Sequence, residues 1–108
     1  MQVQSERQGE NAIVRPIGDV DMSGSPELRA AIRQAQQGSP RRLVVDLAHV
    51  AYMDSSGVAT LVEAMRHAQG AGSELILAAM ADRVRAIFEI ARLDTYFKIV
   101  PSVEDATP

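Results

Sequence analysis

The sequence has no cysteine and no tryptophan, and it has only two phenylalanines and two tyrosines among its 108 residues. Without cysteine, disulfide bonds and Cys-based zinc or redox sites are excluded. With so few aromatic residues, the core must consist of aliphatic side chains and methionine. No apolar run approaches the roughly 18 residues of a membrane span, and the N-terminal residues contain no signal-peptide core. We therefore expect a cytoplasmic protein that makes no membrane contact.

Positive charge is also scarce. Eleven Lys and Arg residues stand against 14 Asp and Glu residues, which gives a formal net charge of -3. A nucleic-acid-binding protein needs a clustered basic face, so no nucleic acid is expected as a partner. The hydrophobic fraction of 46% is typical of a globular protein. The length fits one domain over residues 1–108, which we expect to be a monomer when free.

The hydrophobic pattern predicts strands that alternate with helices. A strand around Val3 is expected to pair with the next strand across a polar turn at residues 5–10. Further strands are predicted over 11–17, 42–47, 73–79 and 97–100. Helices are predicted after a Ser25 N-cap with Pro26 at the first helical position, after the Ser55–Ser56 pair as far as Gly70–Gly72, over 82–93, and for one or two turns at 102–106. This alternation is typical of an α/β protein with a mainly parallel sheet.

The most informative stretch is Asp54-Ser55-Ser56-Gly57, which joins an apolar strand to a helix. In the simplest interpretation, Asp54 or Ser55 is a helix N-cap. Capping alone explains neither the second hydroxyl nor Gly57, since glycine costs a helix interior about 1 kcal/mol relative to alanine. A glycine at this point indicates that something approaches the backbone closely. The remaining interpretations are a catalytic nucleophile and a serine that another protein modifies.

A catalytic serine has little support in the sequence. The nucleophile elbow of hydrolases needs a glycine two residues before and two after the serine, and this stretch offers only Gly57. A triad also needs a histidine within hydrogen-bond reach. The only two histidines are His49 and His67, and His67 lies about three turns down the predicted helix.

A second acidic segment, with Asp19 and Asp21, precedes the first helix. Two carboxylates at this spacing are insufficient for a metal site, and no metal is expected. If the strands before the two acidic segments are adjacent and parallel, Asp19, Asp21 and Asp54 form one acidic rim. The four internal methionines at positions 22, 53, 65 and 80 are predicted to fill the core.

The string VVDLAHVAYMDSSGVATLVEA resembles the signature of the STAS domain family of anti-sigma factor antagonists, in which an apolar strand, Asp-Ser-Ser-Gly and an apolar helix follow one another. The resemblance extends to Gly-Asp-Val-Asp at 18–21, where the family usually has Gly-Glu-hydrophobic-Asp, and to VRAIFEIARLDTYFKIV. It covers the chain from about Ile13 to Val103. It implies the STAS fold, a mixed and mostly parallel sheet of four to five strands with helices largely on one face. It also implies no catalytic activity and no cofactor.

The resemblance further implies a phosphorylation switch at Ser55. In the family, the unphosphorylated antagonist binds an anti-sigma factor that is also a Ser/Thr kinase with an ATPase-type fold, and thereby frees a sigma factor. Phosphorylation of the serine at the position of Ser55 abolishes binding, and a serine phosphatase restores it. The residues expected to contact the partner are Asp19, Asp21, Ser23, Asp54, Ser56, Gly57, Val58 and Leu61.

Two features of the acidic segment depart from the family pattern. Asp19 replaces the commoner Glu and has a shorter reach, and the Ser23-Gly24-Ser25 stretch is smaller than many counterparts. The alternative function is a STAS adaptor or scaffold subunit, stressosome-like or transporter-associated, that works without a phosphorylation switch.

Overall fold

The computed structural model describes residues 1–107, which form five strands and four helices. Their order is β1 (Gln2–Gln8), β2 (Asn11–Ile17), α1 (Ser25–Gln37), β3 (Arg42–Asp46), α2 (Ser55–Ala71), β4 (Glu74–Ala78), α3 (Asp82–Ile90), β5 (Lys98–Val100) and α4 (Val103–Ala106). The predicted alternation of strands and helices is confirmed. Within the described residues, no helix combines the length and the apolar character that crossing a membrane requires.

The strands form one sheet in the order β1-β2-β3-β4-β5. β1 pairs antiparallel with β2, and the other three pairings are parallel. Parallel neighbours need crossover connections, which are almost always right-handed. Because strands β2 to β5 lie side by side in chain order, right-handed crossovers carry α1, α2 and α3 to the same face. The predicted mixed sheet with helices largely on one face is confirmed.

The core has two parts because the central strands are buried on both faces. On the face with three helices, Leu43, Val45 and Leu77 pack against helix residues that include Leu61 and Phe88. The opposite face is covered by α4. The buried residues there are Ile13, Val44, Ile76, Ala78 and Ala106. Alternate residues of one strand therefore supply both cores, as expected of a continuous apolar run.

Two local predictions need correction. The turn before β2 consists of Gly9 and Glu10 alone, because Gln8 already pairs with Asn11. Gly9 has φ of 61°, a conformation that glycine adopts without strain. Ser25 is the first helical residue of α1, not its N-cap, and its amide donates to the Asp21 carbonyl. The chain therefore makes one extra turn, from Asp21 to Gly24, before α1 begins.

Candidate functional site

The acidic segment after β2 and the stretch before α2 run side by side beyond the ends of their strands. Val20 and Met53 form a parallel bridge. The Val20 amide donates to the Tyr52 carbonyl at 2.9 Å, and the Asp54 amide donates to the Val20 carbonyl at 3.1 Å. The prediction that the two segments would be neighbours is confirmed, since β2 and β3 are adjacent and parallel. The carboxyl edge of the sheet thus brings Asp21 close to Asp54.

Asp54 is the N-cap of α2, one of the two residues that the simplest interpretation of the sequence offers, and Ser55 is the first helical residue. Its Oδ1 atom accepts hydrogen bonds from the Ser56 amide at 2.9 Å, the Ser56 hydroxyl at 2.6 Å and the Gly57 amide at 3.3 Å. Two amides of the first helical turn are thereby satisfied. The hydroxyl of Ser56 is committed to this cap.

The turn before α1 repeats this arrangement. The Oδ1 atom of Asp21 accepts hydrogen bonds from the Ser23 amide at 3.0 Å, the Ser23 hydroxyl at 2.7 Å and the Gly24 amide at 3.0 Å. Both turns share the pattern Asp-x-Ser-Gly, which reads DMSG at 21–24 and DSSG at 54–57. This short repeat was visible in the sequence, but sequence reasoning overlooked it.

Both capping carboxylates are held in their charged form. The hydrogen bond from the Ser56 hydroxyl lowers the pKa of Asp54, and the two amides act in the same direction, against desolvation and the nearby charge of Asp21. The hydrogen bond from the Ser23 hydroxyl likewise lowers the pKa of Asp21. The site therefore presents two negative charges near Ser55 at neutral pH.

Ser55 differs from Ser56 in both exposure and bonding. Ser55 is the exposed first residue of α2, whereas Ser56 is partly buried. Among residues 1–107, the Ser55 hydroxyl makes no hydrogen bond. The side chains of His49 and His67 make none either within that range. Asp54 is engaged by Ser56 and does not hold the Ser55 proton. The geometry provides an accessible hydroxyl without a built-in base.

Gly57 owes its identity to packing within the chain. A Cβ atom at this position would lie 2.6 Å from Cγ of Met53 and 2.8 Å from Cγ1 of Val20. The group that approaches the backbone here is thus the Val20–Met53 bridge. Gly57 is buried, so its predicted role as a partner contact gives way to a structural one.

Burial also revises the predicted contacts on α2. Leu61 is fully buried in the core and has no surface to offer, so the prediction that it packs against a partner is wrong. Val58 is buried as well, but it lines a shallow groove between α2 and α3 that begins at Ser55. The exposed groove residues that sequence reasoning missed are Ala59, Glu63 and Arg66 on α2 and Ala91 after α3.

The remaining predicted contacts stay predictions, with their positions now known. Asp19 and Ser23 are exposed. Asp21 and Asp54 are partly buried, and each accepts hydrogen bonds from its own turn. Met22, predicted to fill the core, is 80% exposed, so that prediction is wrong. Within the described range, no three His, Cys, Asp or Glu residues are grouped so that they could hold a metal ion.

Comparison with known proteins agrees with this geometry. The STAS domain family model matches residues 2–106. The anti-sigma-B factor antagonist of Listeria monocytogenes is 31% identical over 94 residues, which cover 87% of this chain and 82% of that protein.

Solved structures share the fold. An anti-sigma factor antagonist from Mycobacterium paratuberculosis is 26% identical with a TM-score of 0.88, covering 97% of this chain and 89% of that one. The Bacillus cell fate determinant SpoIIAA in its phosphorylated form is 24% identical with a TM-score of 0.75, covering 97% and 96%. The latter likeness shows the fold alone. By the family match and the Listeria relative, this chain belongs to the STAS domain family.

Proposed function

We propose that this protein is an anti-sigma factor antagonist controlled by phosphorylation of Ser55. The unphosphorylated form binds a kinase-type anti-sigma factor in the cytoplasm and releases the sigma factor held by it. The proposal rests on one observation above all, the exposed and unbonded hydroxyl of Ser55 at the cap of α2. The names of the relatives support the antagonist role.

The hydrogen bonds around the cap favour Ser55 over Ser56 as the acceptor. The Ser56 hydroxyl donates to a charged carboxylate, and such bonds contribute about 1.5–3 kcal/mol. Phosphorylating Ser56 would break this bond and place a phosphate directly against Asp54. Ser55 has no comparable bond to lose. Ser56 instead keeps the cap rigid, so that Ser55 is offered in one position.

Electrostatics explains how a phosphate would end binding. A phosphoserine carries about -1.5 to -2 charges, and here it would join the charges of Asp54 and Asp21. A partner surface shaped for a neutral hydroxyl would have to desolvate this dianion without a counter-charge. A hundredfold loss of affinity requires only about 2.7 kcal/mol. The switch therefore needs no refolding of the protein.

In this scheme the protein is a substrate and ligand of other proteins and not an enzyme. The kinase-type anti-sigma factor has the ATPase-type fold, and a serine phosphatase resets the switch. Asp19, Asp21, Ser23 and Asp54 are the proposed polar contacts with the partner.

The test uses purified kinase-type anti-sigma factors from the same genome, each incubated with this protein and Mg-ATP. Mass spectrometry should find one phosphate on Ser55 with one of them. The Ser55→Ala variant should accept none, and the matched Ser56→Ala variant should still accept it on residue 55. A phosphate on Ser56 in the wild type would contradict the assignment.

Binding to the same kinase separates the switch from the adaptor alternative. We expect Ser55→Ala to bind within about threefold of the wild type and Ser55→Asp to bind at least about tenfold more weakly. An adaptor without a switch would bind both variants equally. Equal binding, together with no phosphate on the wild-type protein, would replace our proposal with the adaptor function.

A further inference from the structure

The two Asp-x-Ser-Gly turns place Met22 and Ser55 at equivalent positions. Each is the variable residue of its turn, directly after the aspartate that accepts the turn's hydrogen bonds, although Ser55 begins α2 and Met22 lies in the turn before α1. The Val20–Met53 bridge sets the two turns side by side, so both residues lie at the carboxyl edge of the sheet. One turn thus offers a hydroxyl and its neighbour offers a thioether.

Met22 is also one of several exposed apolar side chains at this edge of the sheet. It is 80% exposed, and two further exposed apolar side chains belong to the same edge. Met1 lies beside the backbone of Gly24, where a Cβ atom would be 3.1 Å from the methionine Cε. Tyr52 is 45% exposed, and its carbonyl accepts the Val20 amide. We call Met1, Met22 and Tyr52 the apolar patch.

The concentration of these side chains at one edge is notable. Residues 1–107 contain five large apolar side chains that are exposed, and three of them form the apolar patch. The other two, Ile90 and Tyr96, lie where α3 ends and shortly before β5 begins, at the opposite edge of the sheet. Scattered exposed apolar residues need no explanation, but a cluster beside a polar site is typical of a protein interface.

We propose that the apolar patch anchors the kinase-type anti-sigma factor, with Met22 inserted into an apolar pocket of that protein. This inference rests on the proposed function, because the bridged segments place the apolar patch and Ser55 at the same edge of the sheet. The acidic rim around Ser55 cannot by itself supply much affinity for the partner, since desolvating the carboxylates of Asp21 and Asp54 opposes binding. Most binding energy in interfaces comes from a few well-packed apolar or aromatic anchors within a polar surround.

This arrangement divides affinity and control between the two turns. The apolar patch sets how tightly the unphosphorylated protein binds, and Ser55 sets whether it binds. Because the side chain of a methionine is flexible and polarizable, it fits pockets of varied shape. A change at Met22 should therefore alter the affinity without altering which serine is phosphorylated.

The experiment compares Met22→Ala with Ile90→Ala, a control that removes an equally exposed apolar side chain at the far edge. Both variants and the wild type are titrated against the anti-sigma factor kinase that phosphorylates Ser55, and their melting temperatures are recorded. We expect Met22→Ala to raise Kd about tenfold and Ile90→Ala to change it less than twofold. At saturating kinase, Met22→Ala should still accept one phosphate on Ser55, while its kcat/KM falls in proportion to the affinity.

The outcomes separate this inference from the proposed function. Equal affinity of Met22→Ala and wild type would overturn the anchor and leave the Ser55 switch intact. A larger effect of Ile90→Ala would place the interface on α3 and also overturn it. Should sedimentation show that wild type is a dimer and Met22→Ala a monomer that binds the kinase normally, the apolar patch would be a contact between copies of this chain. A wild-type protein that none of the kinases binds or phosphorylates would refute the proposed function itself.

Discussion

Single residues at the carboxyl edge of the sheet have roles that depend on contacts made far away along the chain. Gly57 is the clearest case, because the first turn of α2 touches the Val20–Met53 bridge with no space for a side chain. The same bridge keeps Asp21 near Asp54 and so builds the acidic surround of Ser55. Packing at Gly57 and the presentation of Ser55 are therefore linked.

We predict that Gly57→Ala destabilises the protein by about 1–2 kcal/mol. The added methyl overpacks against buried side chains of Met53 and Val20, and overpacking costs about 1–3 kcal/mol, which exceeds the gain in helix propensity. Urea denaturation measures the change. Gly70→Ala in the same helix is the matched control, because nothing lies within 4 Å of its added methyl, and it should stabilise by about 0.5–1 kcal/mol. Equal effects of both substitutions would contradict the packing role of Gly57.

At the scale of elements, charged Asp-x-Ser-Gly caps occur at two places, since Asp54 caps α2 itself and Asp21 caps the turn that precedes α1. Each cap joins a carboxylate to a hydroxyl and two amides, and the pKa of each aspartate is lowered from its ordinary value of 3.8. A group with a lowered folded-state pKa binds fewer protons than in the unfolded chain, so stability rises with pH across the titration. The contribution is complete above about pH 5 and is lost as the pH falls through 3.8 to the folded-state pKa.

We therefore expect the free energy of unfolding to fall between pH 5 and pH 2.5, and to fall less in Asp54→Asn. Asparagine is also a good N-cap, so the variant keeps the cap but cannot titrate there. Urea denaturation at a series of pH values gives the comparison, with Glu89→Gln on the exposed surface of α3 as the control. If Asp54→Asn lost as much stability as wild type and control, the cap would not be the source of the acid sensitivity.

The elements themselves were largely predictable from the sequence, whereas several residue roles were not. The continuous apolar run of β3 and the capping stretch before α2 indicate their structures locally, and both were predicted correctly. Met22 was predicted to be buried and is exposed, whereas Leu61 was predicted to contact a partner and is buried. Periodicity marks a residue as apolar without showing which neighbour covers it. The reason for Gly57 lies in Val20, which only the pairing of β2 with β3 brings near.

At the scale of the whole molecule, the sequential strand order leaves one face of the sheet thinly covered, the face without α1, α2 and α3. All three crossovers place their helices on one side, and among the described residues α4 is the helix that packs against Ile13, Val44 and Ile76 on the other side. Val103 and Ala106 supply the contacts from α4. This thin layer makes the C-terminal turn more important for stability than its four residues would indicate.

We predict that a stop after Ser102, which removes α4, destabilises the protein by about 2 kcal/mol. Uncovering aliphatic side chains costs about 25 cal/mol per Å², and in a domain of this size 2 kcal/mol lowers the melting temperature by roughly 10 °C. Calorimetry measures the shift, and binding of a hydrophobic dye should rise because Val44 and Ile76 become accessible. Glu104→Ala, an exposed change within α4, is the control and should leave both readouts unchanged. An unaltered melting temperature in the truncated protein would mean that this face of the sheet is stable without α4, and that the sheet owes its stability to the three-helix face alone.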